Sequence, residues 1–548
     1  LAVGARMATV ALTNPAEPET RIAERPEAPL REPVTDRAGR VLAANLPAWS
    51  LYAHPAEIRE PRAVAEALAP IFPDLDVAKL AGQLASDRKF VWVKRPVTPR
   101  QKQAVMDLRP ARPGLKFGRR DMRVYPAGRI AAHVLGSVKA GTERVDSAEL
   151  VGASGIELAF DAQLSDPASL ERPLALSIDL PVQAALTEVM ARGMAHLGAR
   201  RGAAILMDVT TGELLAIVSL PDYDPNAPVR RLAGGAANPR FNQAVKGVYE
   251  LGSVMKPITA AIALEAGVAA PDSMVETGRP LRAGGHLIRD LHAMPDYLSV
   301  TDIVRRSSNI GAARLAMRVG IDGFRDYLDR FGLLTPTGLE LREARTARPM
   351  LPPRWNELST MTISFGHGLA ISPLHLVTAY ATIANGGRKV TPSLVRGGRP
   401  LGERVISEQT AREMRTILRA VVERGTGRRT DVPGYELGGK TGTADKPRED
   451  GRGYYRDRVL ASFASIFPAS APKYAMLVLL DEPTDPESGK REASRTAVPV
   501  TAQAIRRLAP LLDMRPKEPE PEEAPPISAV VDGQTITVSL DRRMELAQ

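Results

Sequence analysis

Three short stretches carry residue types that together could transfer an acyl group: Ser253-Val-Met-Lys256, Ser307-Ser-Asn309 and Lys440-Thr-Gly-Thr443. A serine hydroxyl is a poor nucleophile until a neighbouring base takes its proton. On a helix, residues three apart share a face, so Ser253 and Lys256 would stand side by side. Gly252 and Pro257 suit the start and first turn of such a helix, and the positive end of its dipole would then favour the serine alkoxide. A lysine can act as a base only if burial or a nearby cation lowers its pKa, and Lys440 is the candidate cation. Ser307 could relay a proton to a leaving amine, while Asn309 orients Lys256 and a substrate amide. Lys440 and Thr441 could hold a carboxylate by charge and hydrogen bond. Gly442 would let substrate backbone approach, and the backbone N–H groups of Ser253 and Thr443 are candidates for an oxyanion hole. Which group takes the proton during acylation is left open by residue types alone.

Taken singly, these patterns are loose. Ser-x-x-Lys also occurs at Ser86 to Lys89 and Ser470 to Lys473, both in surface-like sequence. Lys-Thr-Gly and Ser-x-Asn each occur once. A polar helix end would account for Ser307 and Asn309 in isolation, and a turn after Gly438-Gly439 for Lys440 to Gly442. Finding all three in this order, each at the edge of a strand or helix, is what carries the reading.

The elements that must position these residues are legible in outline. Val41 to Ala43 and Trp49 to Tyr52 read as short strands, and Val64 to Ile71 and Val77 to Leu84 as helices. Leu174 to Ile178 is strand-like. Asp179 can then cap a helix with Pro181 in its first turn and Val182, Leu186, Val189 and Met190 on one face. Ala203 to Met207 and Leu214 to Ser219 read as strands joined by the Thr210-Thr-Gly212 turn, with a second strand pair at Leu460 to Phe467 and Tyr474 to Leu480. Helical patterns fill the middle at Ile258 to Leu264, Ile303 to Met317 and Leu374 to Ile383. Strands at both ends with helices between predict an α+β domain, one sheet flanked by helices. The proline and acid tract from Arg515 to Pro526 reads as an extended linker, and Val530 to Leu540 as a strand or hairpin.

Composition narrows the function class. The chain has 548 residues, enough for two or three domains, and 44% apolar with 25% charged residues is ordinary for a folded protein. The net charge of +10 is thinly spread, and no nucleic-acid motif accompanies it. With no cysteine, disulfides, thiolate catalysis and cysteine-ligated metals are excluded. The seven histidines are scattered, with only His286 and His292 loosely paired, so neither a metal site nor a cofactor is expected. The run from Leu1 to Leu12 is mostly apolar but broken by Arg6 and too short to span a bilayer. It suits either a frayed amphipathic leader or the outer end of a membrane anchor.

The whole pattern resembles that of class B penicillin-binding proteins, the peptidoglycan D,D-transpeptidases. The resemblance rests on the three stretches above and on many others: Asp36-Arg-Ala-Gly39 with Leu42-Ala43, Tyr125-Pro-Ala-Gly128, His133-Val-Leu-Gly136, and Gly155-Ile-Glu-Leu158. Asp208, Thr211-Gly212, Pro225-Asn226, Tyr249-Glu-Leu-Gly-Ser253, Phe365-Gly-His-Gly368 and Pro373-Leu374 extend it, although Leu251 stands where proline is commonest in the family. Tyr249-Glu250 and Ala461-Ser-Phe463 leading to Phe467-Pro-Ala469 favour the division-specific, FtsI-like type over the elongation type.

That resemblance implies a penicillin-binding transpeptidase fold, an antiparallel sheet flanked by helices, behind an elongated non-catalytic pedestal. The expected division is a membrane-proximal segment at 1–30, a pedestal at 31–170, a transpeptidase domain at 171–512 and a Pro/Glu-rich tail at 513–548. It further implies Ser253, Lys256, Ser307, Asn309 and Lys440 as catalytic residues and Thr441, Gly442 and Thr443 as substrate-binding ones. Implied partners are peptidoglycan stem peptides or their lipid-linked precursor, β-lactams, a membrane glycan polymerase and division proteins. The implied location is the bacterial inner membrane, with one N-terminal anchor and a periplasmic catalytic domain. A non-catalytic β-lactam-binding scaffold and a β-lactamase are the competing functions.

Overall fold

The computed structural model describes residues 31–108, 113–143, 148–169, 172–227, 238–448 and 453–517, together with two strands, Ile527–Val531 and Gln534–Val538. The apolar run 1–12 and most of the proline and acid tract, 518–526, lie outside the described residues. The antiparallel pairing of the two last strands makes the expected C-terminal element a hairpin that begins earlier, at Ile527. Among the described residues no helix is long and apolar enough to cross a membrane.

The N-terminal region is built on one long strand, Val41–Ala53, rather than two short ones. Leu115–Val124 pairs with it from Ala44 to Ala53, and Val91–Val97 covers only its second half. Pro47 therefore falls where the strand has a single neighbour, and its missing N–H is tolerated. The first helix is Pro61–Leu68, starting and ending three residues before the expected span because Pro61 takes the first helical position. The second, Val77–Leu84, is capped by the Asp76 carboxylate on Lys79 N. Both pack Val64, Leu68, Leu80 and Leu84 onto Leu51, Ala53 and Phe72.

Two polar devices fasten this region to itself and to the rest of the chain. The buried Glu157 carboxylate takes Arg31 Nε at 2.6 Å on one oxygen and Arg123 Nε at 2.7 Å on the other. Arg31 also donates to Asp161 Oδ1 at 2.7 Å. Asp36 accepts from Ala38 N, Arg40 N and Arg40 Nε, and from Leu180 N at 3.1 Å at the head of the helix Leu180–Leu197. Two of the family-like residues, Glu157 and Asp36, thus sit at a buried ion-pair cluster and at the joint.

The second region is α+β. Its sheet runs, in spatial order, Gly438–Pro447, Tyr454–Phe467, Tyr474–Asp481, Arg201–Asp208 and Leu214–Leu220, antiparallel throughout. Helices Leu180–Leu197 and Ala497–Leu508 cover one face, and Pro373–Ala384 lies on the other with Lys256–Glu265 and Glu408–Arg424. Coverage on both faces explains why Val459 to Phe467 and Ala475 to Asp481 are buried without alternation. Asp179 caps Leu180–Leu197 as expected, with Val182, Leu186, Val189 and Met190 buried.

One expected element breaks. The helical pattern from Ile303 to Met317 is two helices, Val300–Arg306 and Asn309–Val319. Ser307 adopts a left-handed conformation (φ 67°) that ends the first, and Ser308 caps the second by accepting from Gly311 N at 3.0 Å. The apolar residues on both sides keep their spacing across the break, which is why periodicity alone reads through it.

Candidate active site

Ser253 sits in a 3-10 turn, Gly252–Met255, that runs directly into the helix Lys256–Glu265. In a 3-10 turn residues three apart eclipse each other, which brings Lys256 Nζ to 2.9 Å from Ser253 Oγ. Gly252 has φ 63°, and a Cβ there would come within 2.9 Å of Thr443 O on the edge strand. Gly366 (φ 93°) closes the other side, where a Cβ would stand 2.0 Å from Gly252 O. Only glycine fits between the two backbones. Behind the turn, Tyr380 Oη donates to Val254 O at 2.8 Å.

The break at Ser307 gives Lys256 its remaining partners. Its ammonium donates to Ser307 O at 2.7 Å, Ser307 Oγ at 3.0 Å and Asn309 Oδ1 at 2.8 Å. Asn309 Nδ2 donates to Arg289 O at 3.0 Å, which holds the amide oxygen toward the lysine. Asp290 fastens this corner by accepting from Ser308 Oγ at 2.7 Å, Ile310 N at 3.2 Å and Asn309 N.

Lys440 approaches from the edge strand Gly438–Pro447 and is completely buried. Its ammonium donates to Ser307 Oγ at 3.1 Å, Thr441 O at 2.9 Å and Thr441 Oγ1 at 3.3 Å. Burial lowers the pKa of Lys440 to about 7. Burial also pushes Lys256 well below the ordinary lysine range, with the charge of Lys440 adding to the shift and that of Asp290 opposing it. A lysine in this position is neutral far more readily than one in water, as a proton acceptor for Ser253 must be.

The structure therefore brings Ser253, Lys256, Ser307, Asn309 and Lys440 into one hydrogen-bonded cluster. The strand residues beside Lys440 make contacts of their own. Thr441 Oγ1 meets Thr426 Oγ1 at 2.8 Å, and Thr443 Oγ1 accepts from Ala493 N at 3.0 Å. At Gly442 a Cβ would lie 2.5 Å from both Leu251 O and Ser462 Oγ. The glycine thus lets the edge strand press against the serine turn itself. The two decoy patterns lie at the surface, with Lys89, Ser470 and Lys473 all exposed.

Residue spacing gave no sign of Asp290 or Thr426, which join the cluster only through tertiary contacts. A further latch lies beside the serine turn. Glu250 accepts from Gly368 N and from Tyr454 Oη, each at 2.7 Å, and His367 Nδ1 lies 3.6 Å away. Glu250 and His367 belong to family-like motifs, so a sequence signal existed for them but not for their meeting.

Comparison with known proteins agrees with this geometry. Residues 202–505 match the penicillin-binding protein transpeptidase domain and residues 26–171 the penicillin-binding protein dimerisation domain. The chain is 37% identical to the probable peptidoglycan D,D-transpeptidase FtsI of Caulobacter vibrioides, across 89% of this chain and 82% of the relative. With the peptidoglycan D,D-transpeptidase FtsI of Escherichia coli K12 the identity is 31%, across 85% and 81%. With the probable peptidoglycan D,D-transpeptidase PenA of Neisseria gonorrhoeae it is 33%, across 83% and 80%. The crystal structure of penicillin-binding protein 3 from Mycobacterium tuberculosis, complexed with aztreonam, shares the fold at TM-score 0.67 and 24% identity, covering 90% of this chain and 98% of that one. A serine turn, a broken helix and an edge strand meeting on one hydroxyl, in a chain matched along most of its length, place the protein in the class B, FtsI-like branch of the penicillin-binding protein transpeptidases.

Proposed function

We propose that this chain is a peptidoglycan D,D-transpeptidase that cross-links stem peptides during septal wall synthesis and is acylated by β-lactams. The observation that carries the reading is the 2.9 Å approach of a fully buried Lys256 to Ser253 Oγ. Neutral Lys256 takes the Ser253 proton as Oγ attacks the penultimate D-Ala carbonyl. The tetrahedral oxygen is held by the backbone N–H groups of Ser253 and Thr443. The proton passes through Ser307 Oγ to the departing amine, and terminal D-Ala leaves as the acyl-enzyme forms. An acceptor amine then attacks the ester, loses a proton to the same relay and frees Ser253. Asn309 orients Lys256 and the substrate amide, while Thr441 and Thr443 bind the stem peptide along the edge strand. Lys440 supplies positive charge from beneath it.

The division into a pedestal at 31–170, a transpeptidase domain at 171–512 and a tail at 513–548 belongs to the same proposal. So does an inner-membrane anchor ahead of the pedestal, with the catalytic domain in the periplasm, a glycan polymerase and division proteins as partners. These rest on the relatives' names and family domains, and on the apolar run from Leu1 to Leu12. A septal rather than an elongation role rests on the FtsI relatives and on the family-like stretches at Tyr249-Glu250 and Ala461 to Ala469.

The direct experiment is labelling with fluorescent penicillin, monitored for an hour beside Ser253→Ala. A stable adduct on the parent protein and none on the variant is expected. No adduct would leave a scaffold, and rapid turnover would leave a β-lactamase.

A further inference from the structure

The helix Glu408–Arg424 carries a charged groove that none of the five clustered residues around Ser253 lines. Arg412, Arg415 and Arg419 are three and four residues apart and share one face. With Thr416, Glu436 and Ser470 they line an open cleft of about 490 Å³. Its charges are unevenly answered. Arg412 pairs with Glu408, Arg419 pairs with Glu423 and Asp431, and Glu436 pairs with Lys517. Arg424 also lines the groove, and Arg415 Nη1 donates only to the Ala384 carbonyl, at 3.4 Å. Among the described residues no carboxylate lies at ion-pair distance from Arg415.

The chain itself arrives at this groove. A Cβ on Gly434 would stand 2.5 Å from Pro516 Cβ, so the start of the tail lies against that turn. Lys517 N donates to Gly434 O at 2.9 Å, and Lys517 Nζ reaches Glu436 at 2.8 Å and Ser470 Oγ at 3.3 Å. Glu436 and Ser470 are two of the groove's own walls. The next six residues are Glu518-Pro-Glu-Pro-Glu-Glu523, with four carboxylates and no cation. In an extended proline-rich chain, alternate residues are about 6 Å apart. Arginines three or four apart on a helix rise by about 4.5 to 6 Å. Tethering within a few residues supplies an effective concentration of roughly millimolar.

We propose that the acidic segment Glu518–Glu523 docks in cis on the arginine face of Glu408–Arg424, with Arg415 as its central partner. The charge, the spacing and the point at which the chain reaches the groove all match. The proposal is independent of the acyl-transfer reading, because no catalytic residue lines the groove.

The absence of native cysteine makes a clean test possible in the full chain. Thr416→Cys is combined with Glu520→Cys, and disulfide formation under mild oxidation is compared with Arg62→Cys plus Glu520→Cys, Arg62 being exposed on the pedestal. A cooperative urea transition matching the parent's checks that each variant is folded. The groove pair is expected to close within one molecule at least tenfold faster than the control pair. That advantage should fall at least fivefold in the E518Q/E522Q/E523Q background. It should also fall in 0.5 M salt, where screening acts over about 4 Å. Equal rates for the two pairs, or a rate indifferent to the three glutamates, would overturn the proposal. Disulfides found only between molecules would overturn docking in cis and leave a groove that takes acidic segments in trans.

Discussion

Lys256 and Lys440 donate to the same atom. Ser307 Oγ lies 3.0 Å from Lys256 Nζ and 3.1 Å from Lys440 Nζ, with both lysines buried. Two ammonium groups sharing one hydroxyl disfavour each other's charge, so one of them gives up its proton readily. With both lone pairs of Ser307 engaged, its own hydrogen is left to donate elsewhere, which suits a relay toward a leaving amine.

Lys440→Gln removes a charge that adds to burial in lowering the pKa of Lys256. In the proposed mechanism neutral Lys256 takes the serine proton, so the acylation rate rises with pH through the apparent pKa of the pair. In the variant that pKa rises, and the limb moves to higher pH. At neutral pH the rate should fall by about tenfold for each pH unit the limb moves. Stopped-flow acylation between pH 6 and pH 10 reads both effects. An unshifted limb would remove Lys440 as the tuning charge.

Asp290→Asn should move the same limb the other way, because Asp290 raises the pKa of Lys256. The variant also weakens the bonds to Asn309 N and Ile310 N, so the plateau rate should drop by about tenfold while the limb shifts toward acid. A lower plateau without the acid shift would make Asp290 a structural cap and nothing more.

Gly366→Ala forces a methyl to 2.0 Å from Gly252 O at a positive φ. The serine turn must shift, and a displacement of about 1 Å at a nucleophile costs roughly a hundredfold in rate. Acylation should fall by that amount while the pedestal's unfolding is unchanged. Wild-type acylation in this variant would contradict the packing of the turn.

Glu157→Gln leaves Arg123 buried with its charge unanswered and Arg31 with Asp161 as its one remaining carboxylate. Breaking a buried pair from one side costs about 3 to 5 kcal/mol. Urea unfolding of the variant should show a loss of that order, with Ser253 labelling retained under native conditions. A loss below about 1 kcal/mol would mark the cluster as dispensable.

Acid should destabilise the protein through two buried histidines. Burial lowers the pKa of His133 and His375 to about 4, against an unfolded value of 6.5. Between those values the unfolded chain binds more protons, so stability is complete above pH 6.5 and falls as pH drops toward 4. Each histidine contributes about 3 kcal/mol across that window. His375→Gln should flatten the fall measured by denaturant titration from pH 7 to pH 4.5, and an unchanged slope would refute its neutral burial.

Much of this architecture is legible in the chain. Asp179, Pro181 and the apolar stripe from Val182 to Met190 declare a capped helix, because caps and periodicity are local. The strand pairs around Thr210-Thr-Gly212 and Pro468 are legible for the same reason. The long strand Val41–Ala53 is not, since Pro47 looks like a boundary until Leu115–Val124 is known to run beside it. Nor is the break at Ser307 legible, because apolar spacing continues across it and nothing local demands a left-handed serine.

Residue types and spacing alone determined that Ser253 and Lys256 share a face and that a Ser-x-Asn and a Lys-Thr-Gly lie downstream. They did so because a helical turn fixes neighbours at i and i+3. Only the tertiary structure decided that Lys256 and Lys440 converge on Ser307, that Asp290 braces them, and that Gly442 serves contact with the serine turn. Those relations join residues separated by 18 to 191 positions, and packing alone sets which of them meet.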